Sequence, residues 1–443
     1  MKRTILLLLV FLCTALSYAQ DLKPCGTAML AKRHPKAQHA MTRQSAQEEI
    51  RHYEGEKKGL IILVEFKDIS FASKDPLQEW TDIANKSGYI DRDSIAIGSV
   101  SDYFYDQSYG KFRLTFDVVG PVVAAHNHEY YGENKDWGDN FWFDKNVGEL
   151  VEEACKGVAD KVNYADYDWD GDGEVDQVFL LYAGRGENDY ARKDSAVIWP
   201  HMASLMLDWE GYEKGIILQG MRINTYACSN EIISNVMFPH LAGIGTFCHE
   251  FSHCLGLPDL YNTDSETGGS VLGRYDLMDN GCYLGEGWRP VGYSSYERYV
   301  CGWLTPAPTD DPAGITSLLP LHTDPDVRIY RTSETANDYY LIEYREKALS
   351  TWDEFYPATG LQVWHIDYDK TAWMNNEVNN DPKHLRVERM AVDKIPTAIA
   401  DISSEDKRII GVYDLHGRPA DTSSSPFLII RYSDGTTKKI IHE

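Results

Sequence analysis

The chain has 443 residues, 43% of them hydrophobic, and a formal net charge of -25. That much apolar material supports a large core, and the length suggests two or three domains. So acidic a surface repels phosphate backbones and anionic lipid, which argues against nucleic-acid and membrane-surface partners.

The chain opens with Lys2-Arg3, an apolar run over 5–12, and Ser17-Tyr18-Ala19. This is the order of a secretory signal peptide over 1–19. The run is too short to span a bilayer, and no later stretch approaches the roughly 20 apolar residues of a transmembrane helix. The expected location is therefore secreted or at the cell surface. Residues 20–55 are basic and polar and read as a pro-segment or leader. Of eight cysteines, Cys13 leaves with the signal; the odd number that remains implies at least one unpaired thiol.

Next comes a buried strand over 59–66, a short amphipathic helix over 100–105, a turn at 108–111 and a strand over 112–119. Helical spacing covers 146–162, and an apolar strand covers 178–183. A helix contains 244–255. Pro306, Pro308 and Pro312 then mark a boundary. Segments such as 339–344 and 360–366 beyond it read as strands, and 408–412 with 427–432 as a small β-unit. The expected fold is α+β: a catalytic domain over 56–305 with a mixed sheet and an active-site helix, a β-rich domain over 306–395, and a C-terminal β tail over 396–443.

His249-Glu250-Phe251-Ser252-His253 carries the chemistry. Four residues on a helix return to one face, so both imidazoles can meet one metal ion. Glu250 stands beside them, placed to take a proton from water. Chance supplies roughly 0.04 such motifs in this length. Gly256 can take the positive φ that ends the helix, Pro258 prevents its resumption, and Asp259 can then turn back as the third ligand. Glu297 on a later helix is a rival for that role, and the Gly-x-x-Asp continuation favours Asp259. Zinc is the expected catalytic metal. Tyr275-Asp276-Leu277-Met278-Asp279-Asn280-Gly281 reads as a tight turn whose methionine can pack beneath such a site.

Asp168, Asp170, Asp172, the Glu174 carbonyl and Asp176 match the first nine positions of an EF-hand loop. Phe179 stands where the twelfth-position glutamate belongs. A lone structural calcium (Ca2+) loop without the usual helix pair is expected.

HEFSHCLGLPDLY, together with SVSDYFYDQSYGKFRLTFDVVG, DWDGDGEVDQVFLLYAGRGE, YDLMDNG and GLQVWHIDYD followed by Asn379-Asn380 and His384, resembles the immune inhibitor A family of secreted bacterial metalloproteases, within the metzincin-like group. The resemblance covers most of 58 to about 395. It implies zinc (Zn2+) on His249, His253 and Asp259, Glu250 as the base, and Met278 in the Met-turn. It also implies an extracellular endopeptidase that carries calcium and is made as a zymogen. Residues after about 400 fall outside it and look like a shortened secretion-sorting module of Gram-negative bacteria, whose partner is outer-membrane secretion machinery.

The expected reaction is hydrolysis of protein or peptide substrates by a metal-activated water. Pro24-Cys25-Gly26 lies in the leader, and a Cys25 thiolate there can fill the open zinc position and silence the precursor; the alternative is a stray or disulfide-bonded cysteine. His201 reads as a satisfied core histidine. Two other functional classes compete: a zinc hydrolase of non-peptide amides, and a catalytically silent adhesin on a protease scaffold.

Overall fold

A computed structural model of the protein describes residues 25–27, residues 50–390 apart from 92, 138–141, 190–193, 235–238, 265–267, 316 and 332–336, and the backbone of three tail strands. The expected signal peptide, most of the leader and most of the tail lie outside the described residues.

Strand β1 (Gly55–Glu65) runs through the centre of the first sheet. Helices α1 (Pro76–Asn85) and α2 (Val100–Gln107) lead to β2 (Phe112–Val123), which pairs parallel with β1. Helix α3 (Val147–Val158) then crosses to β3 (Val178–Arg185), parallel to β1 on its other side. Two edge strands, β4 (His201–Ser204) and β6 (Pro239–Leu241), both pair antiparallel with β5 (Thr225–Ser234), which is itself parallel to β3. The sheet is therefore mixed, in the order β6-β5-β3-β1-β2 with β4 beside β5.

The unbroken apolar run in β1 follows from burial on both faces. Ile61 and Leu63 join the core beneath α1, α2 and the histidine helix, while Leu60, Ile62 and Val64 join the core beneath α3. In β2 the alternation is clean: Phe112, Leu114 and Phe116 are buried and their neighbours are not. The motif helix α4 (Gly245–Cys254) packs on the first face, with Phe247 stacked on Phe179 at 3.7 Å between ring centres. Its start is tight: a Cβ on Gly245 would lie 1.8 Å from the Cys282 carbonyl oxygen.

After α5 (Ser295–Val300) comes a second sheet of β7 (Ala307–Pro308), β8 (Arg328–Tyr330), β9 (Asp338–Arg345), β10 (Gly360–Asp367) and β11 (Val387–Met390), in that spatial order, with the short helix α6 (Lys370–Met374) between the last two. The prolines do mark the change from mixed α/β to β-rich chain. The apolar core does not stop there, because Tyr339, Leu341, Trp364 and Ile366 share one cluster with Phe247, Phe251 and Met278. The tail contributes β12 (Ile409–Tyr413), β13 (Phe427–Tyr432) and β14 (Thr437–Ile441), an antiparallel three-stranded unit. Strand β14 went unread in the sequence.

Some expected bounds shift. The strand expected over 59–66 starts at Gly55, where it pairs with Phe112. The helix expected over 146–162 ends at Val158. Part of the supposed leader is docked: the Arg51 N–H bonds to the Val300 carbonyl and the Tyr53 N–H to that of Cys301.

Candidate metal centre

Helix α4 presents the motif from a nearly dry wall: His249, Glu250 and His253 are all buried. The helix ends as its sequence dictates. Gly256 takes φ +84° and its N–H bonds to the His253 carbonyl, while the Leu257 N–H reaches back to Ser252. The Arg51 guanidinium caps the Leu255 carbonyl, a cation at a helix C-terminus.

Each imidazole is oriented through Nδ1. His249 Nδ1–H donates to the Leu277 carbonyl and His253 Nδ1–H to the Leu257 carbonyl, both at 2.8 Å. Both Nε2 atoms are thereby turned inward as lone-pair donors. Asp259 returns as the helix stop allows, its Oδ1 lying 3.2 Å from His249 Nε2 and 3.3 Å from His253 Nε2. Four ligands at ordinary zinc bond lengths stand about 3.3–3.6 Å apart at the corners of a tetrahedron. Both Asp259 separations therefore match the spacing that a tetrahedral cation requires.

The electrostatics agree. Burial alone would lower both imidazoles, but Asp259 and Cys25 outweigh it, holding His253 up at about 10 and His249 well above its ordinary value. Burial would raise Asp259, and the two histidines instead hold it well below the usual carboxylate range. The pocket calls for positive charge, which protons supply until a metal displaces them. Glu250 is pushed up by burial, and among the described residues its buried Oε1 finds no hydrogen-bond partner.

Glu297 does not compete. It caps α5, its carboxylate accepting the Ser294 N–H at 2.6 Å. Met278 is fully buried in the turn expected for it, and the carbonyl before it holds His249. His201 is a core histidine, bonded to the Trp199 carbonyl and the Tyr226 hydroxyl, and burial holds it down at about 4.

Residues 25–27 also reach this centre. Cys25 Sγ lies 3.4 Å from His253 Nε2 and 3.4 Å from both Asp259 carboxylate oxygens. Its N–H donates to the Tyr261 hydroxyl at 2.9 Å. The Gly26 N–H bonds to the Pro200 carbonyl at 2.8 Å. Thr27 Oγ1 donates to Glu250 Oε2 at 3.1 Å and accepts the Met202 N–H at 2.7 Å. Thr27, Tyr261 and Asn376, which bonds to Asp259, were missed in the sequence. No spacing rule links residues more than a hundred positions from the helix, although Tyr261 stood two residues beyond Asp259.

In the acidic loop, carboxylate oxygens of Asp168, Asp170 and Asp172 come within 4.8 Å of one another. Asp168 accepts the N–H groups of Gly171 and Gly173, whose φ angles of +80° and +87° let the chain wrap the carboxylates. A short 3-10 helix (Tyr164–Tyr167) precedes the loop and the two-residue strand Glu174–Val175 closes it, so no helix pair flanks it. Phe179 is a core residue, as its position in β3 requires. Asp176 is raised to about 6, by burial and then by Asp170, Asp168 and Asp172. All seven described cysteines are free thiols.

Residues 48–301 match the family described as the immune inhibitor A peptidase M6, catalytic domain. The chain is 25% identical over 276 residues to the pre-pro-metalloprotease PrtV of Vibrio cholerae serotype O1, covering 54% of this chain and 29% of that one. It is 24% identical over 273 residues to immune inhibitor A of Bacillus thuringiensis subsp. alesti, covering 54% of this chain and 39% of the other. It thus spans well under half the length of either relative. With the two histidines, the glutamate and the returning aspartate already assembled on one helix and its stop, the match over more than half the sequence places the chain in the immune inhibitor A peptidase M6 family.

Proposed function

We propose that the protein is a zinc-dependent endopeptidase. One observation carries the reading: Asp259 Oδ1 stands 3.2 and 3.3 Å from two inward-facing Nε2 atoms, beside a buried Glu250 oxygen that has no partner among the described residues. His249, His253 and Asp259 would hold the metal, which supplies Lewis acidity to a water and to the scissile carbonyl. Glu250 accepts the water's proton at Oε1 and passes it to the leaving amine nitrogen. The carbonyls of Leu277 and Leu257 keep both imidazoles in the tautomer that leaves Nε2 bare. No side chain forms a covalent bond to substrate.

The described form reads as the silent precursor. Cys25 Sγ lies against His253 and Asp259, and Thr27 engages the base. Activation then requires removal of the leader. Asp168, Asp170, Asp172, the Glu174 carbonyl and Asp176 would hold a structural calcium. The division into signal (1–19), leader (20–55), catalytic domain (56–305), β-rich domain (306–395) and sorting tail (396–443) belongs to the same proposal, as do secretion and the peptide substrates. Among the described residues no helix is long and apolar enough to cross a membrane.

The test is casein cleavage by the processed wild type and by Glu250→Ala, each with its zinc content assayed. Loss of activity by about 10²–10⁴-fold, with about one zinc per chain retained, supports base and metal site together. A processed, zinc-loaded wild type inert on every polypeptide would hand the lead to a non-peptide amide hydrolase or a silent scaffold.

A further inference from the structure

The proposed third ligand is held by a side chain outside the family-matched segment. Asn376 Oδ1 accepts the Asp259 N–H at 2.7 Å, and Asn376 Nδ2 donates to Asp259 Oδ2 at 2.6 Å. Asp259 is 0% exposed and Asn376 4%. One amide thus ties the carboxylate to its own backbone, which needs an acceptor and a donor on the same side chain. Oδ2 is engaged by the amide, and Oδ1 is left facing the two imidazoles.

Local sequence explains why Asn376 stands there. Helix α6 starts at the Asp369 cap and stops at Asn375. Asn376 follows with φ +54°, the left-handed position after a helix that asparagine tolerates better than most residues. Its carbonyl also accepts the Thr263 hydroxyl at 2.8 Å. Two neighbours extend the grip: Asn379 Nδ2 donates to the Leu260 carbonyl at 2.8 Å, and Asn380 Oδ1 accepts the Thr263 N–H at 2.7 Å. From the opposite side, the Leu260 N–H bonds to the Met278 carbonyl at 2.9 Å. Segment 259–263 is therefore clamped between the methionine turn and an asparagine-rich loop of the β-rich sheet.

We propose that Asn376 is a positioning residue for the metal centre, and that the catalytic unit is completed by residues 369–387, beyond the matched segment 48–301. The proposal rests on reading the cluster as a zinc site. Without the amide only the Cys25 thiol still engages Oδ2, and the ligand geometry loosens. Partners of metal-ligating groups typically contribute about 10–100-fold in metal affinity.

The experiment uses the full chain with Asn376→Gly, which keeps the left-handed backbone easy, and Asn376→Ala, which deletes the amide and keeps a Cβ. Zinc affinity is read by competition with a chromogenic chelator, ligand geometry by the visible spectrum of the cobalt(II)-substituted protein, and folding by the Tm of the metal-free form. The expected result is zinc binding weakened about 10–100-fold and an altered cobalt spectrum in both variants, each of which still melts cooperatively without metal, at a Tm lowered by the loss of two buried hydrogen bonds. Wild-type zinc affinity and an unchanged cobalt spectrum in either folded variant overturn the proposal, as does a lowered Tm with unchanged affinity. A wild type that takes up no zinc, matched by His253→Ala, fails earlier and removes the zinc reading itself.

Discussion

Cys25 Sγ lies 3.4 Å from His253 Nε2 across 228 residues of sequence, and two residues later Thr27 Oγ1 lies 3.1 Å from Glu250 Oε2. Residues 25–27 therefore contact a proposed metal ligand and the proposed base from one short stretch. Gly26 sits between them so closely that a Cβ there would come 2.9 Å from that of His201.

If this stretch is the latency device, Cys25→Ala in the unprocessed chain should raise casein cleavage at least about tenfold over the wild-type precursor, since a thiolate ligand is lost from the open metal position. Thr27→Val should release the precursor less, because the thiol remains. A Cys25→Ala precursor as silent as wild type would assign latency elsewhere in the leader.

Calcium removal tests the acidic loop. Without the ion, Asp176 is held up at about 6, so the folded chain binds a proton there that the unfolded chain has released by about pH 4. That contribution to stability is lost as pH rises from about 4 to about 6, and calcium replaces the proton above it. The Tm gain from millimolar calcium over EGTA should accordingly be larger at pH 7 than at pH 5. An equal gain at both values would take Asp176 out of the site.

Asp276 and Glu297 form a second pH-sensitive element. Burial holds Asp276 up at about 7, and burial followed by the Asp276 charge holds Glu297 well above its ordinary value. Each keeps one buried oxygen without a partner among the described residues, Asp276 Oδ2 and Glu297 Oε1. Both native values exceed the unfolded ones, so the stabilisation is present at low pH and lost as pH climbs through about 7. Thermal melts should show a lower Tm at pH 8 than at pH 5, and Glu297→Gln should narrow that difference. A variant whose melts fall just as steeply would clear the pair.

Gly256→Ala probes the helix stop. At φ +84° a Cβ costs about 1–2 kcal/mol, and here it would also land 1.6 Å from Arg51 Nη1, displacing the C-terminal cap. Urea unfolding should show at least that loss. Unchanged stability would mean that the turn relaxes without cost.

Much of the centre was legible because it is local. His249, Glu250 and His253 lie within about one helical turn, and Gly256, Pro258 and Asp259 encode the stop that returns the third proposed ligand. Strands β1, β2 and β3 were legible because burial imposes period-two or continuous apolar runs. Strand β5 was not: Ser229, Asn230 and Glu231 interrupt its apolar run, yet all three are buried, with Glu231 accepting the N–H groups of Ala72 and Gly184. A polar residue buried with partners is indistinguishable in sequence from one in water.

By itself, then, the sequence determined the histidine helix, its stop, the carboxylate spacing of the acidic loop and the β-rich character of the chain after the prolines. Each depends on spacing within a dozen residues, where helix and turn geometry fix which side chains meet. Only the tertiary structure decided that Cys25 and Thr27 enter the centre, that Glu297 caps a helix instead of binding, and that Asn376 holds Asp259 from 117 positions away. Those meetings depend on how separate elements pack, and single hydrogen bonds between distant residues leave no periodic trace in the chain.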